Sequence, residues 1–234
     1  MAAPAWYSAL LRGGSRPGQR GPAARAALLA HLLRRTASRL GDRAIRGRRL
    51  PARSWWEYEA AINHFGWGNP SAELLGFLIK YGDPGAAQLV TALRQRALDR
   101  IQNVDPAQFH EVFNFKALYD LADEDSRQQL HDPLGKLITA AATVNPDGWT
   151  AYVAPPLNFI TSLNDPFAQL FDEVILRKNV DFIIASMVDG DHWEPNWDWS
   201  GTYPEDWQIA KQEWIGQLTV RNLRTVGDFG AITL

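Results

Sequence analysis

Residues 189–230 read DGDHWEPNWDWSGTYPEDWQIAKQEWIGQLTVRNLRTVGDFG and contain half of the tryptophans of the chain. The five are Trp193, Trp197, Trp199, Trp207 and Trp214. Tryptophan combines a large apolar ring with an N–H group that needs a partner when it is buried. A cluster of this size indicates either a tightly stacked structural corner or an aromatic-lined binding site.

The same stretch predicts two helices in succession. Residues 203–214 (YPEDWQIAKQEW) carry apolar residues at helical spacing, with Pro204 near the start, where a helix tolerates proline. Thr219 is expected to cap a second helix, LTVRNLRTVGDF, which stops at Gly230.

Upstream of this stretch, an Asn or Asp followed by proline recurs, a pair that suits a helix N-cap with proline at the first helical position. After each of the first four pairs, apolar residues follow at spacings of three and four, and a further helix is predicted over residues 171–187. No alternating strand pattern competes, so the predicted fold class is all-α. The five pairs are Asn69-Pro70, Asp83-Pro84, Asp105-Pro106, Asp132-Pro133 and Asp165-Pro166.

The charge composition of the chain changes near Pro51. Residues 1–50 contain eleven arginines and one acid, Asp42, whereas residues 51–234 are strongly acidic. We therefore expect a basic, poorly ordered extension followed by one helical domain. An Arg-rich, acid-poor extension is typical of an organelle transit segment or of a tail without a recognition role. Nucleic-acid binding is disfavoured because no nucleic-acid fold motif accompanies the arginines. Without targeting by this extension, a cytoplasmic location is expected.

Other classes of site lack the residues they need. The absence of cysteine excludes disulfides, thiolate zinc sites and cysteine nucleophiles. The five histidines show no metal-ligand spacing, and no nucleotide-binding glycine loop is present, so neither a metal nor a cofactor is expected. No apolar run reaches the roughly 18 residues of a membrane-spanning helix.

Several pieces of residues 51–234 are similar to one protein family. The pieces are RSWW (53–56), GNPSAELLGFLIKYG (68–82), AYVAPPLNFITSLNDPFAQLF (151–171), SMVDGDHW (186–193) and EWIGQLTVRNLRTVGDFGAI (213–232). Together they resemble the prenyltransferase and squalene-cyclase-like repeat proteins, whose repeats close a helix with Gln-x-x-Asp-Gly-Gly-Trp. Ser186 replaces the glutamine, one residue is inserted between Gly190 and Trp193, and the first repeat of the family is absent.

This resemblance implies an α/α toroid, in which inner and outer helices surround an apolar cavity. Because the first repeat is missing, the ring is expected to be incomplete or closed by a partner chain. The implied activity is that of a terpenoid cyclase, in which an acidic side chain protonates an apolar isoprenoid and aromatic faces stabilise carbocations. Asp189 and Asp191 are the candidate acids, although the family's Asp-x-Asp-Asp motif is missing and a role in a turn or cap is favoured for both.

The candidate cavity walls are His64, Trp197, Trp199 and Trp214, which would bind an apolar small molecule. Two other functions remain open. The chain could be a noncatalytic toroid fragment that binds a lipid-like ligand or a protein partner. It could also be a carbohydrate-active α/α barrel, in which tryptophan rings stack against sugars and the carboxylates of Glu194 and Asp198 cleave the glycosidic bond.

Overall fold

A computed structural model describes residues 67–82, 84–201 and 203–232, and within these ranges the protein is helical and has no β-strand. The predicted all-α class is confirmed for this part of the chain. His64 and the expected boundary near Pro51 lie outside the described residues. The described α-helices are α1 (Gly68–Tyr81), α2 (Ala87–Ile101), α3 (Phe109–Leu121), α4 (Glu124–Ala141), α5 (Glu173–Ala185) and α6 (Pro204–Asp228).

The chain divides into two compact units, with the boundary inside α4 between Leu137 and Ile138. Unit 1 contains the described residues up to Leu137, and unit 2 contains those from Ile138 onward. None of the described helices is both long enough and apolar enough to cross a bilayer.

The first three helices of unit 1 follow the apolar periodicity of the sequence. The apolar spacing of three and four predicted after Asp83-Pro84 is found in α2, where Leu93, Ala97 and Ile101 are all buried. Helix α1 packs against both α2 and α3, which explains its nearly continuous apolar sequence. Gly76 allows α1 and α3 to approach closely, since a Cβ atom there would lie 3.1 Å from the Cα atom of Leu118.

One buried carboxylate joins the first three helices. The side chain of Glu111, on α3, is fully buried and accepts a hydrogen bond of 2.8 Å from the backbone N–H of Gly68 at the start of α1. The guanidinium of Arg100, near the end of α2, donates to both oxygens of the same carboxylate, at 2.8 and 2.7 Å. A bidentate pair of this kind is among the stronger polar contacts in proteins. Glu111 therefore connects the three helices at one point.

The predicted helix start at Asp132-Pro133 is wrong. Helix α4 begins at Glu124 and continues through Pro133. Its first turn is capped by Asp123, whose Oδ1 atom accepts the backbone N–H of Ser126 at 3.1 Å. This Asp–Ser cap satisfies a free N–H group of the first turn, and so the acidic run at residues 122–126 starts the helix.

A long irregular segment connects α4 to α5 in unit 2, and polar side chains hold it in place. The carboxylate of Asp165, itself buried, accepts hydrogen bonds from the N–H and hydroxyl of Thr161 and from the N–H of Phe167. Asn179, buried on α5, accepts the N–H of Leu157 at 2.9 Å. Backbone groups of a segment without regular structure need such partners once they are removed from water.

The predicted helix over residues 171–187 is confirmed as α5, with Asp172 as its N-cap. The prediction of two successive helices after residue 203 is wrong. Helix α6 runs without interruption from Pro204 to Asp228, and Thr219 lies inside it instead of at a cap.

The Glu111 network predicts a large difference between two matched substitutions. Glu111→Leu leaves the guanidinium of Arg100 and the N–H of Gly68 without their acceptor, and we expect a loss of about 3 kcal/mol in the free energy of unfolding. Glu173→Leu removes an exposed i,i+4 pair with Arg177 and should cost about 0.5 kcal/mol. Urea unfolding followed by circular dichroism measures both, and equal losses would contradict the assigned role of Glu111.

Candidate functional site

The inner face of α6 carries most of the contacts of the candidate site. Trp207, Lys211, Trp214 and Leu218 are spaced four, three and four residues apart, which places them on one side of the helix. Trp214 and Leu218 are buried, with 7% and 5% of their surface exposed. Trp207 and Lys211 are partly buried, so the face continues towards the start of the helix.

Residues 193–199, named here the tryptophan segment, lie along this face in the opposite direction. The backbone N–H of Trp193 donates to the hydroxyl of Thr219 at 3.2 Å, and the rings of Trp199 and Trp207 have centroids 5.4 Å apart. The helix from Trp207 to Thr219 is about 18 Å long at 1.5 Å per residue. The segment contacts α6 at both ends of this stretch, at Thr219 through Trp193 and at Trp207 through Trp199.

Trp193 is buried and hydrogen-bonded, as is typical of a residue with a structural role. Its ring is 3% exposed, and its Nε1–H group donates to the carbonyl oxygen of Ile183 near the end of α5, at 2.7 Å. Since its backbone N–H is bonded to Thr219 of α6, the residue joins the two helices. This contact also explains why Thr219 is not a cap, because its hydroxyl serves the tryptophan segment.

Three aromatic rings form the centre of the candidate site, and we name Tyr152, Trp197 and Trp214 the aromatic trio. Trp197 lies edge-to-face with Trp214, with ring centroids 5.5 Å apart and planes at 79°. Tyr152 also packs edge-to-face against Trp197, with ring centroids 6.0 Å apart and planes at 61°. These are the preferred geometries of aromatic pairs. The side chain of Asn196 donates to the carbonyl oxygen of Ala151 at 3.0 Å and holds the two stretches together.

The candidate acids Asp189 and Asp191 lie in a tight turn that precedes the tryptophan segment. The N–H of Val188 donates to the carbonyl oxygen of His192 at 2.8 Å. Asp189 and Gly190 both have positive φ values, 52° and 75°, as the two central residues of the tight turn that the N–H of Asp191 closes by donating to the carbonyl oxygen of Val188 at 3.1 Å. Both aspartates are exposed. The geometry therefore gives Asp189 a turn-forming position, and the assignment of either carboxyl as a proton donor stays a prediction.

A chain of charged groups attaches this turn to α6. The imidazole of His192 contacts the carboxylate of Asp191 on one side, and its Nε2 atom lies 3.7 Å from a carboxylate oxygen of Glu194 on the other. Glu194 in turn pairs with the ammonium group of Lys211 at 2.7 Å. The hydrogen bond to Asp191 raises the pKa of His192, and the ammonium group of Lys211 lowers the pKa of Glu194.

The structure brings together some of the site residues predicted from the sequence and separates others. Trp197 and Trp214 are in contact, whereas Trp199 forms a second pair with Trp207. Tyr152 was not predicted as a site residue. Its only sequence signal is an aromatic residue in the proline-containing run AYVAPP, and nothing local indicates that this run meets the tryptophan segment.

Two further observations bear on the class of site. Within the residues that the structure describes, no group of three or more His, Asp or Glu side chains is arranged to hold a metal ion. No protein-family model, curated protein or solved structure matches this chain. The contacts observed at the candidate site are those of an aromatic cluster.

The hydrogen bond between Trp193 and Thr219 predicts unequal effects of one substitution at two positions of α6. Thr219→Val removes the acceptor of the Trp193 N–H group and should lower the free energy of unfolding by about 1 to 2 kcal/mol. Thr225→Val removes a hydroxyl that bonds only to the preceding turn of its own helix, at the Arg221 carbonyl, and should change it by less than about 0.5 kcal/mol. Chemical denaturation of both variants measures these free energies. Equal losses in the two variants would mean that docking of the tryptophan segment does not depend on Thr219.

The contacts of His192 predict the direction of a pH effect. Its pKa should lie above the ordinary value of 6.5, because the neighbouring carboxylates of Asp191 and Glu194 favour the protonated ring. A raised folded-state pKa gives a stabilising contribution that is complete below about pH 6.5 and is lost as the pH rises through the folded value.

An NMR titration of the imidazole protons measures this pKa, and Asp191→Asn should move it back towards 6.5. The difference in unfolding free energy between the unmodified protein and His192→Gln should be present at acidic pH and shrink at alkaline pH. A His192 pKa at or below 6.5 in the unmodified protein would contradict the assignment.

Proposed function

We propose that unit 2 binds an apolar, isoprenoid-type small molecule at the aromatic trio and holds it without acid catalysis. The observation that supports this most strongly is the position of Tyr152. Half of its surface is exposed to water, although its ring packs against Trp197. An exposed aromatic ring that is backed by further aromatic rings offers an apolar ligand a surface ready for contact.

The trio combines an accessible ring with a rigid base. Trp214 is 7% exposed and is part of a long helix, and Trp197 is fixed against it by edge-to-face packing. A ligand that covers the exposed ring removes apolar surface from water, and each 100 Å² of such surface contributes about 2.5 kcal/mol. Because the base of the site is already packed, little of this gain is offset by ordering of the protein on binding.

Binding is favoured over cyclisation because neither of the two candidate acids is enclosed. A carboxyl that protonates an alkene has to be held in apolar surroundings, whereas Asp189 and Asp191 are both exposed. Sugar cleavage meets a similar difficulty. A glycosidase needs one carboxyl with a raised pKa as its general acid, and Lys211 lowers the pKa of Glu194. The carboxylate of Asp198 accepts the N–H of Ser200 and forms part of a turn.

The binding function is tested by a thermal-shift screen of the full chain against isoprenoid alcohols, isoprenoid hydrocarbons and oligosaccharides. A ligand present at 100 times its dissociation constant should stabilise the protein by about 2.7 kcal/mol and raise Tm by several degrees. Isoprenoids are expected to produce this shift. A shift with oligosaccharides alone would favour sugar binding, and no shift with any probe would favour a surface for a protein partner.

Tyr152→Ala should weaken isoprenoid binding by at least about tenfold, because it removes the accessible ring of the trio. Tyr81→Ala is the matched control, since Tyr81 is a comparably exposed tyrosine of unit 1 (54% against 50%). Calorimetric titration of both variants measures the affinities. Equal loss in the two variants, or unchanged affinity in Tyr152→Ala, would overturn the assignment of the site to the trio.

A further inference from the structure

The buried indole N–H groups of unit 2 differ in their partners. Trp149 donates to the carbonyl oxygen of Thr143 at 2.6 Å, and Trp193 donates to that of Ile183 at 2.7 Å. The Nε1 atom of Trp197 is equally removed from water, but no acceptor for it exists among the described residues. A buried donor without an acceptor is unfavourable and uncommon, because folding removes its hydrogen bonds to water without replacing them.

The surroundings of Trp197 make this observation informative. Trp67 of unit 1 also has an Nε1 atom without an acceptor, but it directly follows residues that lie outside the description, and Arg96 lies over its ring. Trp197, by contrast, has described residues on both sides in the sequence, 84–196 before it and 198–201 after it. Its neighbours in the trio, Tyr152 and Trp214, contact it through their aromatic rings.

We infer that the ligand of the aromatic trio carries an oxygen atom that accepts a hydrogen bond from Trp197 Nε1. This inference rests on the proposed function and narrows its substrate class from isoprenoids in general to oxygenated isoprenoids, such as alcohols, ethers and carbonyl compounds. Tyr152 is half exposed and its ring packs against Trp197, so a ligand that contacts this ring lies beside Trp197. A hydrocarbon fills the same surface but leaves the N–H group without an acceptor.

The charges around the trio favour a neutral oxygen over an anionic group. The carboxylates of Glu194, Asp198 and Glu213 lie close to Trp197 and Trp214 in the sequence. Lys211, a cation on the inner face of α6, is already paired with Glu194. A diphosphate would be repelled by nearby carboxylates, whereas an ether or hydroxyl oxygen carries no charge to repel.

The test compares farnesyl methyl ether with its isosteric hydrocarbon, in which a CH2 group replaces the ether oxygen, by calorimetric titration of the full chain. The ether oxygen only accepts hydrogen bonds, and the hydrocarbon has no oxygen. The unmodified protein should bind the ether about tenfold more tightly than the hydrocarbon, which corresponds to about 1.4 kcal/mol at 25 °C. Trp197→Phe keeps an aromatic ring but removes the N–H group, and it should bind both ligands equally.

Trp207→Phe is the matched control, because it removes an indole N–H from a ring outside the trio and should keep the preference for the ether. If neither ligand binds, the proposed function fails. If both bind with equal affinity to the unmodified protein, the proposed function stands and this inference is overturned. A loss of stability in ligand-free Trp197→Phe well beyond that of Trp207→Phe would also overturn it, because the N–H would then already serve the protein, for example against the ring face of Trp214.

Discussion

Unit 2 depends on the docking of the tryptophan segment along the inner face of α6. The contacts differ in kind along its length, from a hydrogen bond at Trp193 to an ion pair at Glu194 and aromatic packing at Trp197 and Trp199. Apolar packing supplies most of the free energy of such a contact, whereas hydrogen bonds and charge pairs determine the register in which the segment lies. The aromatic trio exists only in this register, because a shift by one residue would separate Trp197 from Trp214.

The helices of unit 1 are held in one alignment in a different way. Its helices pack through apolar stripes that tolerate small displacements, and the buried carboxylate of Glu111 defines their alignment, since it reaches the start of α1 and the end of α2 at the same time. Both units thus combine an apolar contact surface with a small number of directional polar bonds. A buried charge has a high desolvation cost, and the bidentate contact with Arg100 offsets it only in one arrangement of the helices.

The sequence predicted elements that depend on apolar periodicity, and it failed at one helix start and where residues distant in sequence meet. The buried stripe of α2 and the extent of α5 follow from apolar spacing and an N-cap aspartate. The helix start at Asp132-Pro133 was wrong because Asp123 provides an earlier cap within the acidic run at residues 122–126. Tyr152 escaped prediction because its partner is distant in sequence. The toroid and the isoprenoid ligand, suggested by resemblance, stay predictions.

The continuity of α6 has a consequence for how this region opens. Gly216 lies in the middle of the helix, where glycine costs roughly 1 kcal/mol relative to alanine, and its missing Cβ atom would meet no neighbour. The segment contacts the helix on both sides of this glycine, at Trp214 before it and at Thr219 after it. Release of the segment would remove the contacts on both sides of this glycine at the same time. Amide hydrogen exchange should therefore find the segment and the second half of α6 exchanging together, as one cooperative opening unit.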